Sequence, residues 1–265
     1  MSARFLTVVL ERAFNMRDGF GREIDYMRIS VIDSCNLNCY YCNPCDNNEH
    51  CHALNILSVK EVLCIVRAAT RLGIKHFRLT GGEPLLHPQL DEMVLQIKKI
   101  PGVSSVSLTT NAVLLAQHAK WLKEAGIDSI NVSLDTIDAS EYERITKKPL
   151  LEEVKHGINA AIECGIRVKI NVVLTPQTDV VALTRYVAKK GTDIRFIEMM
   201  PVGEGHTNGV EPYKKVIGTL SKLYGEPCRI NTEKTKEINS GNDKRKIPDN
   251  GPGKSITFFR NLVSE

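Results

Sequence analysis

No apolar run in this 265-residue sequence approaches the ~20 residues that a membrane-spanning helix needs. The N-terminal stretch Phe5 to Leu10 is closed by Glu11 and Arg12. It is too short for the core of a signal peptide, and no small-residue cleavage site follows. An excess of one charge is also lacking. Thirty-five Lys and Arg stand against 31 Asp and Glu, a net charge of +4. That is too little to indicate nucleic acid, and it suits an anionic small molecule equally well. There is no low-complexity tract. With 42% hydrophobic and 25% charged residues, the composition argues against global disorder. At about 100–200 residues per domain, the length allows one large domain or two small ones. The expectation is a cytoplasmic protein with neither membrane nor nucleic acid as partner.

What the sequence does have is eight cysteines. Cys35, Cys39, Cys42, Cys45 and Cys51 crowd into one short stretch, while Cys64, Cys164 and Cys228 are scattered. In a reducing compartment, clustered thiols point to metal or redox chemistry rather than to disulfides. Cys35, Cys39 and Cys42 have C-x3-C-x2-C spacing. Three thiolates from one loop can hold three irons of a [4Fe–4S] cluster and leave the fourth open to a small molecule. A structural zinc site completed by Cys45, and incidental thiols, are the competing readings. Cys64 and Cys164 fall in helical segments, where a thiol packs as a small hydrophobe.

Around this loop, strands and helices alternate. The strands are expected at Tyr26–Ile32, Lys75–Thr80, Ser104–Thr110, Asp128–Asp135, Ile166–Leu174 and Asp193–Met199. The intervening helices are expected at Ser58–Leu72, Pro88–Ile100, Leu114–Ala125, Ala139–Ile145, Leu151–Cys164 and Asp179–Lys189. Ser58 with Glu61 three residues on reads as a helix N-terminus. A further helix is expected over Pro212–Leu223. Asn231–Lys254 is too polar to bury much, and Ser255–Phe259 offers one more strand. Strand–helix alternation implies a parallel sheet with right-handed crossovers, either a barrel or a doubly wound fold.

The strands are not continuously apolar, as strands covered on both faces usually are. His76, Arg78 and Thr80 share one face, as do Ser105, Ser107 and Thr109. So do Asn131, Ser133 and Asp135; Arg167, Lys169 and Asn171; and Asp193 and Arg195. The opposite faces are apolar. A filled barrel is lined by Val, Ile and Leu. A polar lining instead implies an incomplete barrel around a large polar ligand, or else a sheet with one solvated face. On that lining the cations outnumber Asp135 and Asp193, so an anionic ligand is expected.

Four motifs stand at successive strand ends. They are the C-x3-C-x2-C loop, Thr80-Gly81-Gly82-Glu83-Pro84, Thr109-Thr110-Asn111 and Asn131-Val132-Ser133-Leu134-Asp135. Together they resemble the radical S-adenosylmethionine (SAM) superfamily. The runs from Phe20 to Ser30, RLTGGEPLL, INVSLDTID and RFIEMMPVG narrow the resemblance to the GTP 3′,8-cyclase family of molybdenum cofactor biosynthesis. It covers about Phe20 to Gly203 and implies an α/β fold, a partial (β/α)6 TIM-type barrel with outer helices. It implies one [4Fe–4S] cluster on Cys35, Cys39 and Cys42. It implies SAM contacts from Tyr41, Gly82, Glu83, Thr110, Ser133 and Met200. GTP would be engaged by Arg22, Arg78, Lys169 and Arg195. An electron donor and a homodimer are implied as partners. The implied reaction cleaves SAM to a 5′-deoxyadenosyl radical, which abstracts hydrogen from C3′ of GTP before the ribose attacks C8.

The sequence departs from the family in three places. His76 stands where the family has a lysine. The loop from Asn43 to His52 is not the family's usual run. Beyond position 200 the only cysteine is Cys228, whereas the family carries three that hold a second cluster. On this reading residues 1–225 form the barrel with its N-terminal extension, and 226–265 form a loop-rich segment short of the family's C-terminal domain. The expectations are a piece of a cyclase, a relative acting on another anion, or a non-catalytic SAM- or nucleotide-binding remnant.

Overall fold

The computed structural model describes residues 16–19, 21–42, 56–199, 213–225 and 255–258. Seven strands form one sheet in sequence order. They are β1 (Tyr26–Ser30), β2 (His76–Thr80), β3 (Ser105–Thr110), β4 (Ser129–Ser133), β5 (Arg167–Leu174), β6 (Asp193–Glu198) and β7 (Ser255–Phe258). The first six run parallel, and β7 closes on β6 antiparallel. β1 and β7 are the two ends of the strand order, so the sheet is an unclosed barrel, as expected. The strand expected near Ser255 is β7.

The helices are α1 (Val59–Arg71), α2 (Leu90–Lys98), α3 (Leu115–Glu124), α4 (Ala139–Thr146), α5 (Leu151–Glu163), α6 (Val180–Lys190) and α7 (Tyr213–Tyr224). Each of the six expected between strands lies within two residues of its predicted bounds. Ser58 caps α1 as its spacing implies: its side chain accepts from the Glu61 amide, and the Glu61 carboxylate accepts from the Ser58 amide at 2.8 Å. Such a reciprocal cap contributes about 1 kcal/mol. The 3-10 turn Pro84–Leu86 is new. It takes residues that the sequence left between β2 and the second helix.

Alternation along the strands decides what lies on each side of the sheet. Phe77, Leu79, Val106, Leu108, Ile130, Val132, Val168, Ile170, Val172, Ile194 and Phe196 are all buried and form the core beneath the helices. The polar positions between them face the concave side. Register aligns Arg28 with Arg78, Arg78 with Ser107, Ser107 with Ser129 and Ser129 with Arg167. A further row runs Thr109, Asn131, Lys169 and Asp193. Period-two alternation therefore carries every polar side chain of these rows into one lumen. Among the described residues no helix is long and apolar enough to cross a membrane.

One helix end carries avoidable strain. Lys147, the exposed C-cap of α4, sits at φ 61° in the left-handed region, and its amide donates to the Glu143 carbonyl. A side chain there costs roughly 1 kcal/mol that glycine would not. Lys147→Gly should raise the unfolding free energy by about 1 kcal/mol in urea titration.

Candidate active site

The cysteine loop leaves β1 and is fixed by contacts to two distant parts of the chain. On one side it meets Gly81 and Gly82. The Gly82 amide donates to the Ile32 carbonyl at 2.7 Å, and the Glu83 amide donates to Ser34 at the same distance. A Cβ on Gly81 would lie 2.2 Å from the Ile32 oxygen, and one on Gly82 would lie 2.2 Å from the Ser34 oxygen. Only glycine permits this approach, because the obstacle is backbone. On the other side, the Asn38 and Tyr40 amides donate to the Thr146 and Ile145 carbonyls at 3.0 and 3.1 Å. The last turn of α4 thus braces the loop. Arg144, paired with Glu141 through two 2.7 Å bonds, lies over the Tyr40 ring.

Glu83 binds the strand ends together. It is 1% exposed. Its carboxylate accepts from Thr110 Oγ1 at 2.6 Å, the Asn111 amide at 2.7 Å and the Leu85 amide at 3.0 Å. Burial raises its pKa, and these donors offset only part of that rise. Asn111, positioned in this way, donates to Asn36 Oδ1 at 2.7 Å and reaches Cys35 Sγ at 3.8 Å. The ends of β2 and β3 therefore meet the cysteine loop through one hydrogen-bonded chain.

Cys35 and Cys42 are exposed, and Cys39 is partly buried. The Cys39 thiol is pushed up to about 12, first by burial and then by the charges of Asp135, Cys42 and Cys35. Cys35 is raised as well, again chiefly by burial, then by Glu83 and Cys42. The three sulfurs are thus near enough to sense one another. Tyr41, just before Cys42, donates its hydroxyl to Asp135 Oδ2, while Asp135 Oδ1 accepts from the Val173 amide at 2.7 Å. Burial pushes the Asp135 carboxyl up to about 6. A cavity of about 40 Å³ opens here, lined among others by Cys39, Tyr41, Asn111, Ser133, Asp135 and Tyr142.

The lumen holds the cations. Lys169 is driven down to about 8, mainly by loss of water, then by Arg195, with Arg167 and Arg78 adding and Asp193 opposing. Arg78 and Arg195 are also lowered, chiefly by burial, and Arg28 adds to both shifts. Arg28 on β1 acts on Arg195 on β6, which shows how far the sheet curls. Asn171 Oδ1 is buried with no hydrogen-bond partner among the described residues.

Most of the residues singled out by sequence meet in these two places. Cys35, Cys39, Cys42, Tyr41 and Ser133 gather at the loop and its cavity. Gly82, Glu83 and Thr110 lie beneath, with the Thr110 hydroxyl engaged by Glu83. Arg78, Lys169 and Arg195 share the lumen. Arg22 sits in the turn before β1 with a 68% exposed side chain, and its Nε is 2.6 Å from Asp18. Met200 lies outside the described residues. Sequence reasoning assigned no role to Arg28, and it placed Asp135 on the polar lining without revealing its bond to Tyr41. For Arg28 the signal was the alternation of β1 itself.

The model of the Radical SAM superfamily matches residues 29–183. A GTP 3′,8-cyclase of Clostridium perfringens (strain SM101 / Type A) is 37% identical over 246 residues, spanning 92% of this chain and 72% of that protein. The chain belongs to the radical SAM superfamily and, within it, to the GTP 3′,8-cyclase family. The GTP 3′,8-cyclase of Pelotomaculum thermopropionicum is 43% identical over 217 residues, 79% of this chain and 67% of that one. Among solved structures, methylornithine synthase (PylB) superposes with a TM-score of 0.60 at 16% identity, covering 76% of this chain and 63% of that one. SuiB of Streptococcus suis bound to the precursor peptide SuiA gives 0.60 at 20%, covering 75% and 45%. These two share the fold.

As a radical SAM enzyme the chain uses one [4Fe–4S] cluster and SAM, and the donor set fits them. Three mutually close thiols lie on one loop, and Asn111 supplies an N–H toward Cys35 sulfur. Among the described residues no three Cys, His, Asp or Glu side chains converge as a single-ion site would require. The five described cysteines are free thiols.

Substituting Gly82 tests the backbone contact. Gly82→Ala should fold with an unchanged far-ultraviolet spectrum, yet retain less than a tenth of the iron bound by the wild type after anaerobic reconstitution. Iron content and visible absorbance measure this.

Proposed function

We propose that this radical SAM enzyme is a cytoplasmic GTP 3′,8-cyclase, with GTP held by the cations of the lumen. The observation that carries the reading is the concentration of Arg28, Arg78, Lys169 and Arg195 on one concave face, below a thiol loop at the strand ends. A triphosphate suits this lining, because guanidinium groups bind phosphate oxygens in pairs and an ammonium adds a point charge. When bound, the cluster and SAM supply a 5′-deoxyadenosyl radical. The chain's own residues do the remaining work. Cys35, Cys39 and Cys42 provide the ligands. Gly81, Gly82 and Glu83 hold the loop over the lumen. Tyr41, Ser133 and Asp135 offer polar groups in the cavity beside Cys39 for SAM. The lumen cations fix the nucleotide, with its ribose directed toward the loop. An electron donor reduces the cluster, and a homodimer is the assembly we propose.

The test is anaerobic reconstitution with iron and sulfide, followed by dithionite, SAM and GTP. Release of 5′-deoxyadenosine together with a cyclised nucleotide of the mass of GTP is expected. Cleavage of SAM with GTP unchanged would transfer the site to another anionic substrate. No cleavage by the loaded protein would leave a binding module.

Lys169 adds a pH signature. Its amine titrates near 8 in the empty lumen, and bound phosphate favours the charged form. Binding above pH 8 must therefore take up a proton, so affinity is full below pH 8 and falls above it. Calorimetry between pH 7 and 9.5 should show that decline, and Lys169→Arg should flatten it.

A further inference from the structure

Tyr26 occupies an unusual place for an edge-strand aromatic. It begins β1 on the concave face, two residues before Arg28 and in register with His76. The Arg78 guanidinium lies 5.3 Å from its ring centroid and the Arg28 guanidinium 6.0 Å away. Its hydroxyl accepts from Arg28 Nε at 3.2 Å. A single side chain thus touches two guanidinium groups that stand in register on neighbouring strands. Left to themselves these two would repel, and long arginine side chains on an open edge would spread into solvent. The face of an aromatic ring is negative and attracts a cation, while a phenol oxygen accepts a hydrogen bond from one. Arg78 is further fixed by Ser107 Oγ at 3.1 Å. Arg28 is oriented by its bond to Tyr26.

We infer that Tyr26 is the positioning residue of the phosphate site, holding Arg28 and Arg78 as a pair that faces one polyphosphate. The inference rests on the anionic-nucleotide reading above. It goes further in assigning specificity: the paired guanidiniums recognise the phosphate chain and not the nucleoside. Tyr26 does its work before the ligand arrives. The ring and hydroxyl reduce the ordering cost of two arginines, which would otherwise be charged against binding. Nothing in this role depends on the cluster, so it is accessible in the full chain without reconstitution.

The experiment measures binding of GTP, inorganic tripolyphosphate and guanosine by calorimetry to the wild type, Tyr26→Phe and Tyr26→Leu. The wild type should bind GTP and tripolyphosphate. Tyr26→Leu, which removes ring and hydroxyl, should weaken both about tenfold and leave guanosine within twofold. Tyr26→Phe keeps the ring beside both guanidiniums and removes only the acceptor of Arg28, so a loss of about threefold is expected. Tyr26→Phe also keeps the test valid should the leucine variant fold poorly. A purely structural role would lower the melting temperature and weaken all three ligands alike, which would overturn the inference. Wild-type affinity for tripolyphosphate in both variants would overturn it while leaving the lumen reading intact. If the wild type itself binds neither GTP nor tripolyphosphate, the anionic-nucleotide reading fails and the inference with it.

Discussion

The site depends first on a contact between two stretches of backbone. Gly81 and Gly82 press against the carbonyls of Ile32 and Ser34 at a distance that excludes any Cβ. A loop carrying three cysteines has little means of holding its own shape, since its thiols are committed to a ligand rather than to the protein. Its conformation must come from elsewhere, and the end of β2 supplies it. Glu83 extends the constraint by fixing the ends of β2 and β3 to each other through three hydrogen bonds. Here the glycines and the glutamate form part of the loop's scaffold. The GGEP segment and the cysteine motif are therefore a single structural unit, although Gly81 lies 39 residues beyond Cys42 in sequence.

Much of this was legible in the sequence because two periodicities are strong. Amphipathic helices placed α1 to α6, and the alternation of β2 to β6 correctly separated a core face from a lumen face. Arg78, Lys169 and Arg195 were found in this way. β1 yielded less. Its alternation sets Tyr26, Arg28 and Ser30 on one face, whereas Arg22, which precedes the strand, is a position that the family resemblance implies. The structure gives Arg22 a local partner in Asp18, whereas Arg28 points into the lumen with the other cations. Hydrogen-bond direction was the other limit. No spacing rule reveals that the Thr110 hydroxyl is engaged by Glu83, or that Asp135 closes on Tyr41. Both are pairings across long sequence separations that only the fold creates.

The two halves of the site have opposite electrostatic characters. At the strand ends burial raises the Cys35 and Cys39 thiols, and Glu83 adds to the first and Asp135 to the second. Deeper in the lumen burial, and after it the neighbouring cations, depress Arg78, Lys169 and Arg195. Neither arrangement is at rest by itself. Cys35 and Cys39 hold their protons until a cationic metal centre replaces them, and the cations repel until an anion enters. Each half therefore gains stability from its own ligand and opposes the other's: an anion is unwelcome beside the carboxylates, and a metal cation is unwelcome among the arginines. Sorting of this kind needs no gate, because the fold has already separated the charges along the strands. It follows that the order of loading is not enforced by the lumen. If substrate affinity rests on the lumen cations and cluster retention on the glycine contact, as proposed, substitutions in one half should leave binding in the other half nearly unchanged.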